Sequence, residues 1–430
     1  MKLNVLVLGS GGREDALCHK ISKSPLLKNL YAIPGNPGME RYAKVVKVPL
    51  GDFEAIKNFC IEKEIDMVVV GPEEPLVRGI KDYLSKFNIP VFGPSGKSAQ
   101  IEGSKSFAKA LMKRKGVPTA SHIIFHRDEY HKAREFLEKS AYPIVIKVDG
   151  LAAGKGVTIS QHFNHALQTL DEIFLHNKFG VSGNSIVLEE YLDGEEVSVF
   201  VVTDGKDYVL LSPAQDYKRV GDGDTGKNTG GMGSYSFNEI LSDGQIDEIK
   251  HSIIDPVLDG LLEESSPYTG CLYCGLIITR EGIKVIEFNC RFGDPETQVV
   301  LQNLENDLLE LMYLTVKGEL KNYSTKNSGK AICLVLASFG YPDSYETGYE
   351  ITGLDLVEHL NDTIIYHAGT SKVGGKIVSS GGRVLNVVLS SKEKDFKELI
   401  NNVYQTAELI NFENKYYRKD IGLRGLLKLN

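Results

Sequence analysis

Along the first 95 residues of the chain, short continuous apolar runs alternate with segments whose apolar residues recur at helical spacing. Short apolar runs that lead into glycine, such as LNVLVLG (3–9) and IDMVVVG (65–71), are typical of strands buried on both faces. The segments between such runs place apolar residues at helical spacing, as in FEAIKNFCIEKE (53–64). This alternation predicts an N-terminal parallel α/β sheet with crossover helices, in which ligands bind where the strands end.

The pattern changes beyond residue 95, where strands and helices no longer alternate regularly. The periodicities predict a helix at 98–118, strands at 144–148, 157–160 and 186–191, a hairpin of 197–203 with 208–212, a helix at 245–264, two strands within 272–289 and a helix at 298–317. After about 327 the sequence predicts a smaller α+β unit with a helix at 395–410. We therefore expect a multidomain α/β and α+β protein with domains at 1–102, 103–326 and 327–430, and a small subdomain (118–192) inserted in the second.

Composition narrows the class of protein. The chain has 430 residues and a net charge of −8, which argues against non-specific nucleic-acid or anionic membrane binding as its main task. No apolar run approaches the roughly 20 residues of a membrane span, and the N-terminal run reads as a first core strand of a cytoplasmic protein. The six cysteines are scattered, and Cys271 and Cys274 lack a second pair, so we expect buried residues rather than a zinc site.

The glycine-rich segment GSGGRE (9–14) lies between a predicted strand and a predicted helix. Backbone N–H groups at such a position can bind an anion, with Arg13 as a partner. A dinucleotide fingerprint requires glycine or alanine where Glu14 stands, so the segment does not indicate NAD. A plain tight turn remains the alternative to a phosphate site.

A second glycine-rich segment is IVIKVDGLAAGKGV (144–157). Its spacing is not that of a Walker A motif, because Gly156 follows Lys155 where serine or threonine is required. A flexible loop with a lysine can still close over a triphosphate while Lys147, on the strand, neutralises phosphate charge. The residues alone fit a hairpin turn equally well.

Two further segments are polar. In LEEYLDGEEVSV (188–199), carboxylates could bind adenine and ribose, although the residues alone favour an acidic hairpin rim. The stretch 215–233 contains six glycines, and a structureless loop of that length is usually functional or disordered. We interpret it as a lid that carries Lys218 and Arg219.

Charge is concentrated in VIEFNCRFGDPE (285–296). Glu287 and Asn289 alternate with apolar residues, so both point to one face of a strand, and Mg²⁺ prefers such oxygen ligands. Arg291 and Asp294 follow directly. Such a concentration of charge is costly unless something binds it, which predicts a metal and phosphate site.

Taken together, the motifs resemble a known family. In chain order they are GGRE, GPE (71–73), EGSKSFAK, IKVDGLAAGKGV, EEYLDGEE, QDYKR, NTGGMG, VIEFNCRFGDPETQ, HAGT (367–370), GGRVL and YRKDIG. This set resembles the phosphoribosylamine–glycine ligases of the ATP-grasp superfamily over nearly the whole chain. The resemblance implies a pre-ATP-grasp domain, an ATP-grasp core of two subdomains and a small C-terminal cap. It also implies a cytoplasmic, monomeric enzyme of purine synthesis that joins glycine to 5-phosphoribosylamine through a glycyl phosphate.

The resemblance further implies which residues bind ATP and a divalent metal, Mg²⁺ or Mn²⁺. Lys105 and Lys147 would contact phosphates, Glu189 the adenine amino group and Glu196 the ribose. The full implied nucleotide set is Lys105, Lys147, Gly154, Lys155, Gly156, Glu189, Glu190, Tyr191, Leu192 and Glu196. Glu287 and Asn289 would hold the metal, with phosphates and water completing its shell because the preceding strand offers no acidic ligand.

For catalysis, the resemblance implies that Arg291 stabilises the transferring phosphoryl group and that Asp294 orients glycine or the amine, with Asp216 and Lys218 as further catalytic residues. The implied substrate-binding residues are Gly11, Gly12, Arg13, Gly71, Pro72, Glu73, Asn289 and Pro295. No covalent nucleophile is needed, only alignment and charge neutralisation.

The chain departs from the family pattern at Asp15 and Tyr217, where the family usually has histidine. We hypothesise that the two changes compensate across one pocket. His367 either touches ATP or packs the C-terminal unit. The alternative functions are another ATP-grasp enzyme such as a carboxylating one, a nucleotide-linked oxidoreductase, and a non-catalytic nucleotide-binding module.

Overall fold

The computed structural model describes residues 2–152 and 155–429. The N-terminal elements are β1 (Leu3–Gly9), α1 (Gly12–Ser22), β2 (Leu27–Pro34), β3 (Lys44–Val45), α2 (Phe53–Glu62), β4 (Met67–Val70), α3 (Glu73–Val77), α4 (Ile80–Ser85) and β5 (Val91–Phe92). The five strands form one parallel sheet in the order β3-β2-β1-β4-β5. The parallel α/β prediction is therefore confirmed, and every residue of β1 is buried.

The helix predicted at 98–118 is two helices, α5 (Gln100–Gly103) and α6 (Lys105–Lys115). The break falls at Ser104, whose backbone is extended and whose hydroxyl accepts a hydrogen bond from the backbone N–H of Phe107. A serine in this position satisfies a free N–H of the first turn, so it begins a new helix. The break places Lys105 at the first position of α6, beside the cavity described below.

A small antiparallel sheet follows and has its own hydrophobic core. Its elements are β6 (His122–His126), α7 (Tyr130–Lys139), β7 (Ile144–Val148), β8 (Val157–Ser160), α8 (Phe163–Phe174) and β9 (Ser185–Glu190). The strand order is β6-β9-β7-β8, with α7 and α8 packed together. The three strands predicted here are confirmed.

The rest of the chain contains one large antiparallel sheet, two small two-stranded sheets and several helices. Its elements are β10 (Glu195–Thr203), β11 (Tyr208–Leu210), β12 (Ala214–Asp216), β13 (Arg219–Gly221), β14 (Thr225–Asn228), β15 (Gly233–Ser236), α9 (Asp243–Ile249), α10 (Asp255–Glu263), β16 (Gly270–Thr279), β17 (Gly282–Asn289), α11 (Thr297–Asn303), α12 (Leu308–Lys317), β18 (Lys330–Ser338), α13 (Leu354–Val357), β19 (Thr363–His367), β20 (Thr370–Val373), β21 (Lys376–Ser379), β22 (Arg383–Ser391), α14 (Phe396–Leu409), β23 (Lys415–Tyr416) and α15 (Leu423–Leu429). The large sheet has the order β17-β16-β10-β12-β15-β18-β22-β19, with β11 paired to β10 and β23 paired to β18. The pairs β13–β14 and β20–β21 form the two small sheets.

The C-terminal strands continue this sheet rather than forming a separate layer. β15 pairs with β18 in antiparallel register, with Gly233 opposite Leu334 and Ser236 opposite Ala331. The α+β character predicted for the C-terminal unit is present, with α14 packed on β18 and β22. Hydrogen bonding nevertheless crosses the predicted domain boundary at 327.

Three predictions of local structure differ from the structure. A π-helical turn, Lys250–Ile254, joins α9 to α10 inside the helix predicted at 245–264. The helix predicted at 298–317 is α11 and α12, because the Asp307 side chain caps α12. The stretch 215–233 is not structureless, since β13 and β14 pair as a hairpin.

The hairpin β13–β14 is held by the C-terminal segment. Arg418, fully buried, donates to the backbone oxygen of Arg219 and to the Asp224 carboxylate, each at 2.9 Å. Asp420 accepts from the backbone N–H of Gly223 at 2.9 Å. The motif YRKDIG therefore fixes the position of a loop that begins next to Lys218. No helix in the described ranges is long and apolar enough to cross a membrane.

Candidate active site

A cavity of about 380 Å³ brings together residues from all parts of the chain. Of the residues predicted from sequence, those that line it are Arg13, Glu73, Lys105, Lys147, Gly156, Glu189, Asp216, Lys218, Glu287, Asn289, Arg291 and Asp294. The predicted residues outside its wall are Gly11, Gly12, Gly71, Pro72, Lys155, Glu190, Tyr191, Leu192, Glu196 and Pro295. Gly154 lies outside the described residues.

One end of the cavity holds a buried group of two lysines and a carboxylate. The Nζ of Lys147 lies 2.8 Å from Oε2 of Glu189, and the Nζ of Lys109 lies 3.1 Å from Oε1. Burial alone would raise the pKa of Glu189, but the two ammonium groups hold it below its usual range. Sequence analysis missed Lys109, although it stands four residues after Lys105 on one face of α6.

Lys105 is the third lysine at this end. Its Nζ lies 3.5 Å from the backbone oxygen of Gly150, at the start of the second glycine-rich loop. Burial lowers the pKa of Lys105, and nearby Glu287 only partly opposes the effect. A desolvated ammonium group in a cavity wall is suited to receive an anion such as a phosphate.

The end of β17 supplies the oxygen ligands predicted for a metal. Glu287 and Asn289 both line the cavity, and Gly275 stands opposite Glu287 on β16. No group of three or more histidine, cysteine, aspartate or glutamate residues suited to a metal occurs within residues 2–152 and 155–429. A protein contribution of two oxygen ligands fits a divalent cation that phosphates and water also coordinate.

Arg291 is held in place by two carboxylates from the N-terminal part of the chain. Its guanidinium lies 3.1 Å from Oε2 of Glu73 and 3.0 Å from Oε1 of Glu102. Arg291 and Arg13 outweigh burial and lower the pKa of Glu73 to about 2. Glu102 also accepts from the backbone N–H of Cys290 at 2.7 Å, a bridging role that the sequence did not reveal.

The first glycine-rich segment is organised by Glu14. Its carboxylate accepts from the backbone N–H of Gly11 at 2.7 Å and from Nε of Arg13 at 2.5 Å. A Cβ added to Gly71 would lie 2.1 Å from Oε1 of Glu14, so only glycine fits there. Glu14 therefore has a structural role in this turn, and the Arg13 side chain that it contacts lines the cavity.

Asp294 is joined to the C-terminal part of the chain by Arg383. Nη2 of Arg383 lies 3.2 Å from Oδ2 of Asp294, and Nη1 donates to the backbone oxygens of Asp294 and Gly230 at 2.8 and 2.7 Å. Burial would raise the pKa of Asp294, but Arg383 keeps it below its ordinary value. Arg383 belongs to the quoted motif GGRVL, to which sequence analysis gave no role.

Lys218 connects the base of the glycine-rich stretch to two carboxylates. Its Nζ lies 2.7 Å from Oδ1 of Asp216 and 3.3 Å from Oε2 of Glu196. Glu190 instead accepts from the backbone N–H of Ser121, and Tyr191 is 44% exposed. The acidic hairpin thus contributes both to the cavity, through Glu189, and to its rim.

The two departures from the family pattern occupy different surroundings. Tyr217 is buried with its ring centroid 3.8 Å from Cζ of Arg424. Asp15 accepts from the backbone N–H of His367 at 2.7 Å and lies 3.4 Å from Nη2 of Arg41. The contacts of Asp15 and Tyr217 have no residue in common in the described ranges, which speaks against compensation across one pocket.

His367 packs against the N-terminal part of the chain instead of the cavity. A Cβ added to Gly38 would lie 2.7 Å from its imidazole, and Nδ1 is 3.0 Å from the Thr370 hydroxyl. Burial lowers the pKa of His367 to about 3, so the ring is neutral. All six cysteines are buried and unpaired, as the scattered pattern suggested.

Comparison with known proteins decides the family. Three models match the chain: the N domain of phosphoribosylglycinamide synthetase at 3–102, its ATP-grasp (A) domain at 103–297 and its C domain at 331–424. The chain belongs to the phosphoribosylglycinamide synthetase family. The fold predicted from the resemblance, an N-terminal parallel α/β domain, an ATP-grasp domain and a C-terminal domain, is thereby confirmed.

Individual relatives agree with this assignment. The phosphoribosylamine–glycine ligase of Caldanaerobacter subterraneus is 45% identical over 97% of this chain and 99% of its own length. The crystal structure of the Thermotoga maritima phosphoribosylamine–glycine ligase superposes with a TM-score of 0.83 at 32% identity, covering 97% of this chain and all of that one. The biotin carboxylase domain of Hydrogenobacter thermophilus 2-oxoglutarate carboxylase shares the fold, with a TM-score of 0.74 at 16% identity over 100% and 99% of the two chains.

Proposed function

We propose that this protein joins glycine to 5-phosphoribosylamine with ATP, giving glycinamide ribonucleotide, ADP and phosphate in purine synthesis. The observation that carries the proposal is the cavity, which brings four lysines, two oxygen ligands and the Arg291–Asp294 segment together. The family assignment supports the same reaction. It is a carbon–nitrogen ligation, and it needs no covalent enzyme nucleophile.

The chemistry follows from the weak electrophilicity of a carboxylate. Transfer of the terminal phosphoryl group of ATP to a glycine carboxylate oxygen gives glycyl phosphate and ADP. The amine of phosphoribosylamine then attacks the carbonyl carbon, and phosphate leaves with the electron pair of the broken C–O bond. Arg291 would stabilise the charge on the transferring phosphoryl group, while Asp294, Asp216 and Lys218 orient the reacting groups.

For ATP, we assign Lys105 and Lys147 to the phosphates and add Lys109 as their neighbour. The glycine-rich loop, including Gly154, Lys155 and Gly156, would close over the phosphates. Glu189 has lone pairs left for the adenine amino group while it holds two lysines. Glu190, Tyr191, Leu192 and Glu196, at the rim, would complete the adenine and ribose site.

Glu287 and Asn289 would hold Mg²⁺ or Mn²⁺, which neutralises charge between the phosphates. Their carboxylate and amide oxygens suit either hard cation.

We also propose three domains at 1–102, 103–326 and 327–430, with the subdomain 118–192 as the small ATP-binding part. We further propose that the protein is a monomer, that it acts in the cytoplasm and that its substrates are small molecules.

Phosphoribosylamine would bind beside the N-terminal sheet. Arg13 and Glu73 face the cavity, and the backbone of Gly11, Gly12, Gly71 and Pro72 shapes the strand ends behind them. Apart from that of Gly11, which donates to Glu14, the N–H groups at the start of α1 are suited to the 5-phosphate. Asn289 and Pro295 would border the amine.

The test is phosphate release from ATP with Mg²⁺, glycine and freshly prepared phosphoribosylamine, omitting each in turn. We expect release that requires both glycine and phosphoribosylamine, and a loss of release in Glu287→Ala. The exposed Glu319→Ala serves as the matched control. Release with bicarbonate in place of glycine would instead indicate a carboxylating enzyme.

A further inference from the structure

Glu296 is a buried carboxylate in the cavity wall that forms no ion pair with any residue that the structure describes. It is 4% exposed, and its Oε1 accepts hydrogen bonds from the hydroxyls of Tyr273 at 3.0 Å and Ser198 at 3.3 Å. Both hydroxyls donate to Oε1, and within the described ranges no side chain donates a hydrogen bond to Oε2. No lysine, arginine or histidine in these ranges lies within ion-pair distance of the carboxylate. A buried charge without a partner is costly unless a ligand supplies one.

The charged groups nearest to Glu296 leave negative charge unbalanced. Asp216 lines the same cavity, and Lys218 lies 2.7 Å from its Oδ1. Burial and then the charge of Asp216 raise the pKa of Glu296 to about 7, which Lys218 only partly opposes. Lys218 also lies 3.3 Å from Oε2 of Glu196, so the carboxylates around this ammonium group outnumber it and the site lacks positive charge.

Gly293 leaves room beside Glu296 for a positively charged group of a ligand. A Cβ added to Gly293 would lie 2.6 Å from Oε2 of Glu296 and 3.1 Å from the Tyr273 ring. Glycine at this position therefore leaves Oε2 open to the cavity. Because Arg291 and Asp294 flank Gly293, the open oxygen lies beside the segment assigned to phosphoryl transfer.

We infer that Glu296, together with Asp216, binds the ammonium group of the amino-acid substrate. The inference rests on the proposed function, in which that substrate is glycine. Charge-assisted hydrogen bonds from an ammonium group to two carboxylates would select an amino acid over a hydroxy acid. They would also keep the glycine nitrogen protonated, so that only the amine of phosphoribosylamine attacks the acyl phosphate.

The experiment compares Glu296→Gln with the parent enzyme in steady-state kinetics, varying each substrate separately. Loss of the charge should raise the KM for glycine by about 10- to 100-fold while leaving the KM values for ATP and phosphoribosylamine unchanged. Glycolate has a hydroxyl in place of the ammonium group. The ratio of phosphate release with glycine to phosphate release with glycolate should therefore be smaller in the variant than in the parent enzyme. Glu319→Gln is the matched control, and Tyr273→Phe removes a hydrogen bond but keeps the carboxylate.

Equal increases in all three KM values would overturn the inference, because they indicate a structural role. A change confined to phosphoribosylamine or to the Mg²⁺ requirement would also overturn it. If Glu296→Gln does not fold, Gly293→Ala gives an independent test, since its methyl group should cover Oε2 and raise the glycine KM selectively. Failure of the proposed function is distinguishable, because the parent enzyme itself would then not consume glycine.

Discussion

The guanidinium of Arg383 lies 3.2 Å from the Asp294 carboxylate and also donates to the backbone oxygens of Asp294 and Gly230. This one side chain, from β22, fixes the motif RFGDPE and the end of the glycine-rich stretch at the same time. The C-terminal part of the chain thus contributes Arg383 to the wall of the candidate active-site cavity. Its contribution can be tested by substitution.

Arg383→Met should lower kcat more than it raises the KM for ATP, because Asp294 loses its ion pair while the lysine end of the cavity stays intact. Removing one partner of a buried ion pair costs on the order of 3 kcal/mol, and a loss of that size in the transition state, where Asp294 must be held in place, lowers kcat by about 100-fold. Steady-state kinetics with the exposed Arg280→Met as control measures the effect. An unchanged kcat would show that Asp294 is held by Gln298 alone.

Lys109→Met should raise the KM for ATP. The substitution removes one of the two ammonium groups that hold Glu189, and it removes positive charge from the end of the cavity assigned to phosphates. We expect an increase of about tenfold, with the KM for phosphoribosylamine unchanged. Lys113→Met, an exposed lysine on the same helix, is the control, and an equal effect in both variants would contradict the assignment.

Asp15→Asn should stabilise the protein at neutral and higher pH. Burial raises the pKa of Asp15 from 3.8 to about 7 against the opposing effects of Arg41 and His367, and its Oδ1 has no hydrogen-bond partner in the described structure. The folded protein then holds a proton that the unfolded chain releases near pH 4, so this carboxyl costs stability increasingly as the pH rises from about 4 to 7.

The stabilisation by Asp15→Asn should therefore grow over that pH range and level off above pH 7, reaching at most about 4 kcal/mol. Urea unfolding of both proteins at a series of pH values measures it. The exposed Asp259→Asn should show no such trend. A difference independent of pH would mean that Asp15 stays ionised in the folded protein.

Asp420→Ala should loosen the hairpin β13–β14. Arg418 would lose an ion-pair partner, and Gly223 would lose its hydrogen bond to the Asp420 carboxylate. Limited proteolysis should then cut within 219–228 several-fold faster, since two of the contacts that hold the hairpin are lost. Asp259→Asn serves again as the control, and ATP that protects the variant from cleavage would show that the loop closes on the nucleotide.

The features of the fold that depend on residues adjacent in sequence could be predicted. The first buried strand with its glycine turn, the alternation of Glu287 and Asn289 and the strand of Lys147 each follow from local periodicity. Helix breaks at Ser104 and Asp307 were missed because a single capping side chain outweighed the apolar pattern around it. Local propensity cannot show such competition unless the caps are considered one by one.

The partners that complete the site were missed for a different reason. Glu102 stands 189 residues before Arg291, and Arg383 stands 89 residues after the Asp294 region that it contacts. Chain topology, not spacing, brings them together. Glu296 was visible beside Asp294, but its lack of a charge partner became apparent only from the structure.

The pairing of β15 with β18 has a consequence for how the chain folds during synthesis. The N-terminal parallel sheet is complete once β5 has been made, whereas β15 keeps an open edge until residues 330–338 leave the ribosome. Exposed strand edges invite pairing with other chains. We therefore expect nascent chains stalled between β17 and β18 to be the species that most require a chaperone, because most residues of the proposed ATP site exist in them while the sheet is unfinished.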